Sequence, residues 1–232
     1  MIARVAYPAW MLLAVAPSLA LGEPRICAAA GALGLGQRFA RARGWRTASG
    51  KVASANLVTT ARLAVVVALP ALAAHAPRAA TGFVVFALLC ADGLDGYLAR
   101  TRGEASRFGA DYDMETDALC VMVVALLLHR GGLGAWVLVA GLWRYGFAAA
   151  EALVPALGDC PPSPIYRWIF TALMIALALA WLPIGPLAAA AAAAGTALVS
   201  FSFLHSIARS RAFAGVTGAA RRAGTPSSSD RT

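Results

Sequence analysis

Six long apolar stretches dominate this chain and restrict it to folds that place helices in lipid. Each is about 20 residues long, which is the length a helix needs to cross the hydrocarbon core of a bilayer. Glycine and proline residues, the common turn formers, separate the stretches. The predicted spans are residues 57–75, 80–101, 110–129, 134–155, 166–182 and 185–208. The sequence therefore predicts an all-α integral membrane protein with a six-transmembrane-helix core bundle.

The composition excludes an ordinary soluble domain. The chain is 60% hydrophobic and 13% charged, whereas soluble domains are about 25% charged. The net charge of +9 could suggest nucleic acid as a partner. However, the basic residues cluster in short segments between apolar stretches, which is typical of membrane topology. We therefore expect membrane lipid and not nucleic acid as the surroundings of this protein.

The positions of the basic residues predict the orientation of the six spans. With six spans, three basic segments fall on one side: residues 38–51, the loop at 102–107 and the tail from 209 onwards. The short loops on the other side carry only Arg78 and Arg130. Since basic loops stay in the cytoplasm, that side is expected to be cytoplasmic.

The ends of the chain are expected to lie outside this core, which occupies residues 56–210. Residues 1–36 are predicted as an extra apolar membrane segment, uncleaved, because a signal peptide would put the following basic stretch on the wrong side. Residues 37–55 are predicted as a basic interfacial stretch anchored by Phe39 and Trp45. Residues 211–232 are predicted as a basic, disordered tail.

Acidic residues are concentrated in one window between two apolar stretches. Seven of the eleven acidic residues lie within the 26 residues from Asp92 to Asp117. Carboxylates at membrane depth are costly and usually serve an ion, a proton path or catalysis. Glu104, Asp111 and Glu115 are expected to be solvated or structural.

The remaining four aspartates are spaced to face one another across a helical hairpin. Asp92 and Asp95 are three residues apart near the end of the second span, and Asp113 and Asp117 are four apart near the start of the third. Residues at these spacings share a helix face. Four facing carboxylates repel unless cations lie among them, and Mg²⁺ or Mn²⁺ prefers such oxygen ligands. The small residues beside them leave room for a bulky ligand, so the pattern predicts a metal-dependent phosphate site.

The window also carries a family signature. Asp92, Asp95, Gly96, Ala99, Arg100, Gly109, Asp113 and Asp117 fill every fixed position of D-x2-D-G-x2-A-R-x8-G-x3-D-x3-D. In this the chain resembles the CDP-alcohol phosphotransferases, also called CDP-alcohol phosphatidyltransferases. Upstream, the segment ANLVTTAR resembles the family's N-x-x-T-x-x-R and contains Asn56, Thr59 and Arg62.

The resemblance implies an enzyme that moves a substituted phosphate from a CDP-linked lipid donor, commonly CDP-diacylglycerol, to a small alcohol acceptor and releases CMP. It implies phospholipid biosynthesis, a bacterial inner membrane with a cytoplasmic active site, and a homodimer. Asp92, Asp95 and Asp113 would ligate two divalent cations, and Asp117 would complete the metal site and act as general base. The residues implied in binding CDP are Gly96, Ala99, Arg100, Gly109, Asn56 and Thr59.

The acceptor is less determined. Arg62, Arg144 and Arg167 are candidates to bind it, because a phosphorylated alcohol needs fixed positive charge. Arg144 has an alternative partner in Glu151, and Arg167 has an alternative role as an interfacial anchor. Glycerol 3-phosphate is one candidate acceptor, although the proline and lysine of the D-P-x-A-D-K segment typical of its users are missing at 113–118.

Two other functions fit a membrane protein with an acidic cluster. An intramembrane prenyltransferase also uses aspartate-rich, Mg²⁺-dependent sites, but usually two that lie far apart in sequence. A divalent-cation transporter would not depend on a cytidine nucleotide. Stabilisation by CDP or CMP with Mg²⁺ would distinguish the first function from both alternatives.

Overall fold

The computed structural model describes residues 2–40, 42–47, 50, 52–155, 157 and 164–210. In these ranges the regular elements are helices, which confirms the all-α class, and one isolated antiparallel bridge joins Arg46 to Val52. The predicted tail at 211–232 lies outside the described residues. The α-helices are α1 Ile2–Ala20, α2 Pro24–Phe39, α3 Ser54–His75, α4 Arg78–Thr101, α5 Arg107–Arg130, α6 Leu138–Leu153, α7 Pro164–Leu179 and α8 Pro186–Arg209.

Helices α3 to α8 occupy the positions of the six predicted spans. Three helices in the described part of the chain, α3, α4 and α8, are long and apolar enough to cross a membrane. Helices α6 and α7 have 16 residues each, and every 18-residue stretch of α5 contains three acids, Asp113, Glu115 and Asp117. The structure thus supports a membrane protein, and the count of six spans stays a prediction.

The N-terminal region contains two helices where the sequence predicted one segment. Pro24 begins α2, a position where proline is favoured because its missing N–H would have no helical partner. Helix α2 continues to Phe39 and so includes the start of the predicted interfacial stretch. Helix α1 packs on α2 and α6, and α2 packs on α3 and α5. The two helices form a pair that is docked on the core.

Helix α5 lies at the centre of the bundle. It contacts α2, α3, α6 and α7, and every residue from Ala118 to Leu128 is buried. A helix that is enclosed by other helices can be apolar on all sides. The N-terminal turns of α5 differ from the rest of the helix because they contain its acidic residues.

The loop between α4 and α5 is fixed by hydrogen bonds at both ends of its turn. Gly103 takes the left-handed conformation, φ +64°, which glycine adopts without strain. Ser106 caps α5 by accepting from Gly109 N at 3.0 Å. Glu104 accepts from Ser54 Oγ at 2.7 Å and from Ala55 N at 3.2 Å, at the start of α3. The hydrogen bond from the Ser54 hydroxyl holds the pKa of Glu104 below its ordinary value. The end of α4 and the starts of α5 and α3 are therefore held together.

Candidate functional site

The four aspartates of the window meet where the end of α4 lies beside the start of α5. Oxygen atoms of Asp92, Asp95 and Asp113 all lie within 4.8 Å of one another. Asp117 lies one helical turn beyond Asp113, and both residues bind the same arginine of α3. The helical spacing of the sequence accounts for this arrangement, since each pair occupies one face of its helix.

That arginine is Arg62, whose guanidinium lies among all four carboxylates. Its Nη1 is 2.9 Å from Asp95 Oδ2, 2.6 Å from Asp113 Oδ1 and 3.4 Å from Asp92 Oδ1. Its Nη2 donates to Asp117 Oδ1. Only 5% of the Arg62 side chain is exposed. The structure shows Arg62 as the countercharge of the four carboxylates and outside the cavity lining. Its predicted role toward the acceptor stays a prediction.

The charges of this cluster fit a cation site. Four carboxyl groups face one guanidinium, so the cluster has three more acidic groups than basic ones. The donors are carboxylate oxygens, which suit hard divalent cations such as Mg²⁺. Asp92 and Asp113 remain about a quarter to a third exposed, so an ion can reach them. The residues present therefore fit the divalent cations that the sequence predicted.

A cavity of about 630 Å³ adjoins the carboxylates. Its polar lining contains both signs of charge, and its apolar lining comes from α5, α6, α7 and α8. The charged residues are Asp92, Arg100, Asp113, Asp117, Arg144 and Arg167. The hydroxyl groups of Tyr166, Ser202 and Ser206 complete the polar part. The cavity can thus hold a ligand that carries phosphate groups beside apolar parts.

The residues predicted to bind CDP divide into two groups. Gly96 and Arg100 line the cavity. Asn56 and Thr59 are buried, and Thr59 Oγ1 lies 3.1 Å from Asp95 Oδ2. Gly109 packs closely against α3, because a Cβ there would lie 3.0 Å from Asn56 Oδ1. Asn56, Thr59 and Gly109 thus pack around the aspartates and lie outside the cavity lining.

Ala99 is half-buried on α4. Its neighbours Gly96 and Arg100 line the cavity, whereas Ala99 itself lies outside the lining. The predicted contribution of Ala99 to nucleotide binding stays a prediction.

The two remaining acceptor candidates both line the cavity. Arg167, near the start of α7, is exposed. Arg144 is on α6, and its Nη2 donates to Glu115 Oε1 at 3.1 Å. The anionic partner of Arg144 is therefore Glu115, and not Glu151 as the sequence had suggested.

Glu115 is the residue whose importance the sequence analysis missed. It is 2% exposed and also accepts from Arg38 Nη1 at 3.0 Å. Helical phase could have separated it from the aspartates, because residues two apart on a helix do not face the same side. Asp113 and Asp117 point to α3 and α4, whereas Glu115 points to α2 and α6. Its structural role had been expected, but its two arginine partners had not.

Comparison with known proteins agrees with the signature. Residues 52–204, more than half of the chain, match the model of a family described as CDP-alcohol phosphatidyltransferase. The matched region includes α3 to α7 and most of α8, and it follows α1 and α2. Searches of curated proteins and of solved structures gave no significant match.

Proposed function

The chain belongs to the CDP-alcohol phosphatidyltransferase family, and from this premise we propose that it transfers a phosphatidyl group from CDP-diacylglycerol to a small alcohol, with release of CMP. Transfer from a CDP-alcohol to an acceptor follows from the family; the donor lipid and the pathway, phospholipid biosynthesis, are the proposal. One observation carries it: the four aspartates of the signature converge beside a cavity that also contains Arg144 and Arg167.

The aspartates would hold the metal ions. Asp92, Asp95 and Asp113 offer oxygens within reach of one ion, and Asp117 would complete the set for a second. The cations, Mg²⁺ or Mn²⁺, would supply positive charge that neutralises the diphosphate. Arg62 would keep the carboxylates close together in their absence, because it binds all four.

Asp117 would act as general base. The acceptor hydroxyl gives its proton to the Asp117 carboxylate while its oxygen forms a bond to the phosphorus that carries the lipid. The phosphoanhydride bond to CMP breaks, and CMP leaves with the electron pair. Asp117 lines the cavity, so an acceptor bound there can come within hydrogen-bonding distance of it.

The nucleotide would lie along the signature face of α4. Gly96 has no side chain to obstruct it, and Arg100 can neutralise phosphate charge; both line the cavity. Asn56, Thr59, Ala99 and Gly109 would contribute by shaping this wall. Thr59, for example, would act through its contact with Asp95.

The acceptor would enter from the cytoplasmic side. The aspartates lie at the end of the bundle that carries the basic loop at 102–107, and basic loops are retained in the cytoplasm. Arg144 and Arg167 would bind the acceptor, with glycerol 3-phosphate as a candidate. A bacterial inner membrane and a homodimer are further expectations from the family.

The test is CMP release by the purified protein in liposomes that contain CDP-diacylglycerol and Mg²⁺. Glycerol 3-phosphate, serine, inositol, inositol phosphate and choline are supplied in turn. We expect release with at least one acceptor, and loss of release with chelator or in Asp117→Asn. Asp111→Asn is the matched control, because Asp111 is on the same helix and lies outside the cavity lining.

Each outcome of this test is informative. Near-normal turnover by Asp117→Asn would remove the general-base assignment. No CMP release with any acceptor, together with no stabilisation by CDP and Mg²⁺, would overturn the proposed function.

A further inference from the structure

Glu115 joins two arginines that come from two different helices packed on α5. Arg38 of α2 and Arg144 of α6 both donate to the same oxygen, Oε1, at 3.0 and 3.1 Å. The Glu115 side chain is 3% exposed, and its Oε2 has no hydrogen-bond partner among the described residues. Two guanidinium groups therefore share one buried carboxylate, and the three groups together carry one net positive charge.

The two arginines differ in what else they contact. Arg144 lines the cavity that contains Asp117. Arg38 has its guanidinium 5.2 Å from the ring centre of Phe39 and 5.9 Å from that of Tyr7. Arg38 thus belongs to the N-terminal helix pair, and its effect on the cavity passes through Glu115.

We propose that Arg38 and Glu115 are positioning residues that hold Arg144 oriented, and with its positive charge uncompensated, to bind an anionic group of the acceptor. Helix α2, which precedes the region that matches the family, is then part of acceptor recognition. The word acceptor rests on the proposed function, whereas the binding of an anion at Arg144 does not.

The charge arithmetic explains why both partners are needed. A carboxylate that paired with Arg144 alone would orient it but would cancel its charge. The second arginine restores one positive charge to the group while the hydrogen bond from Arg144 to Glu115 stays in place. Because the group is largely buried, solvent screens this charge only weakly.

Arg38→Gln is the sharpest variant, since it leaves the pair of Glu115 and Arg144 intact but neutral overall. We expect the KM for an anionic acceptor to rise about tenfold, with kcat within about twofold of the original. The KM for CDP-diacylglycerol should stay unchanged. Arg38→Lys, which keeps the charge, should restore most of the acceptor affinity.

A matched control exists at a second ion pair between the N-terminal region and α5. Glu23 lies 3.7 Å from Arg130, and both side chains are about half exposed. Glu23→Gln removes an ion pair between the same parts of the molecule, and both of its residues lie outside the cavity lining. This variant should leave the acceptor KM unchanged. The comparison distinguishes weaker packing of the N-terminal helices on α5 from a loss of positive charge at Arg144.

Anion binding is also measured without turnover, as the concentration of inorganic phosphate that stabilises the full-length protein in detergent, with chloride at equal ionic strength as reference. We expect about tenfold weaker stabilisation in Arg38→Gln. In an Arg144→Gln background, Arg38→Gln should have no further effect, because Arg38 acts through Arg144.

The outcomes keep the two proposals apart. If CMP is released with none of the acceptors but phosphate binding depends on Arg38 and Arg144 as described, the proposed function is overturned and the proposed anion site is supported. If CMP is released only with uncharged alcohols, or if Arg38→Gln changes donor and acceptor KM equally, the function stands and this inference is overturned. The same holds if Arg38→Gln leaves phosphate binding intact.

Discussion

The two faces of α5 near its N-terminus carry opposite excess charge. On the face toward α3 and α4, four carboxylates share the single guanidinium of Arg62. On the face toward α2 and α6, the two guanidinium groups of Arg38 and Arg144 share the single carboxylate of Glu115. The first face has a deficit of positive charge and the second has a surplus.

In the proposed function, this contrast would let one helix serve two substrates in one cavity. Residues two apart on α5 face different neighbours, so Asp113 and Glu115 can belong to clusters of opposite sign. The acid-rich cluster favours cations and, through them, a diphosphate. The arginine-rich cluster favours an anion directly. Both Asp113 and Arg144 line the same cavity.

The largest effect should come from the acid-rich face. Asp113→Asn removes a carboxylate whose oxygen lies within 4.8 Å of Asp92 and Asp95 oxygens. A loss of several kcal/mol of charge stabilisation corresponds to about a thousandfold in kcat. CMP release in liposomes measures this, and excess Mg²⁺ or Mn²⁺ should restore part of it. Asp111→Asn, two residues away, should retain activity within about twofold. Equal losses of kcat in both variants would mean that the activity is sensitive to any substitution in this part of α5 and not specifically to the aspartate cluster.

Substitution of Arg62 tests whether the single positive charge on the acid-rich face stabilises the folded protein. Breaking a buried ion pair from one side costs about 3 kcal/mol or more, so Arg62→Gln should lower the thermal midpoint by several degrees in the presence of chelator. Mg²⁺ should then raise the midpoint more than it does in the unsubstituted protein, because the repulsion among the carboxylates is relieved by the ion. Arg130→Gln, at an exposed ion pair, should show neither change. A smaller Mg²⁺ effect in Arg62→Gln than in the original protein would place Arg62 among the residues that help to bind the ion.

The acid-rich face could be predicted from the sequence because its information is local. Asp92 and Asp95 share one helix face by spacing, Asp113 and Asp117 share another, and a short loop joins the two helices. The length of the apolar stretches and the turn residues between them likewise placed the six core helices within a few residues of their observed positions. Helix periodicity and loop length suffice for such pairs.

The arginine-rich face could not be predicted in the same way. Arg38 is 77 residues from Glu115, and Arg144 is 29 residues from it. Only the packing of α2 and α6 on α5 brings them together, and no spacing in the sequence encodes that packing. The contacts of Arg62 with the carboxylates could not be predicted for a similar reason, since its partners lie on two other helices.

The approach of α6 to α5 is what brings Arg144 to Glu115, and Gly141 permits it. A Cβ at Gly141 would lie 2.8 Å from the backbone Cα of Met122, so Gly141→Ala must move one helix. Overpacking of this kind costs about 1 to 3 kcal/mol, and a displaced Arg144 should raise the acceptor KM. Thermal unfolding and acceptor kinetics measure the two effects.

Gly146 on the same helix is the matched control for this substitution. A Cβ there would meet no atom within 4 Å, so Gly146→Ala should be neutral or slightly stabilising because alanine favours helix. If both alanine variants kept the original stability and acceptor KM, the close contact between α5 and α6 would not be what sets the position of Arg144.

The smallest expected effect belongs to Glu104, an acid of the same window that lies in the loop between α4 and α5. The hydrogen bond from Ser54 lowers the pKa of Glu104, so the folded state binds a proton less readily than the unfolded chain. The contact therefore stabilises the protein above the ordinary pKa of about 4.3, and this contribution is lost as the pH falls through the lowered value in the folded state.

Thermal midpoints of Glu104→Gln and the original protein should accordingly differ slightly at pH 7 and converge in acid. Ser54→Ala should give the same small loss at pH 7, and the double variant no additional one, since the two side chains form a single contact. A difference that stayed constant down to the acid range would mean that Glu104 stabilises the start of α3 through its shape and not through its charge. The acids of the window would then differ in kind, with charge decisive only for those that are buried beside arginine.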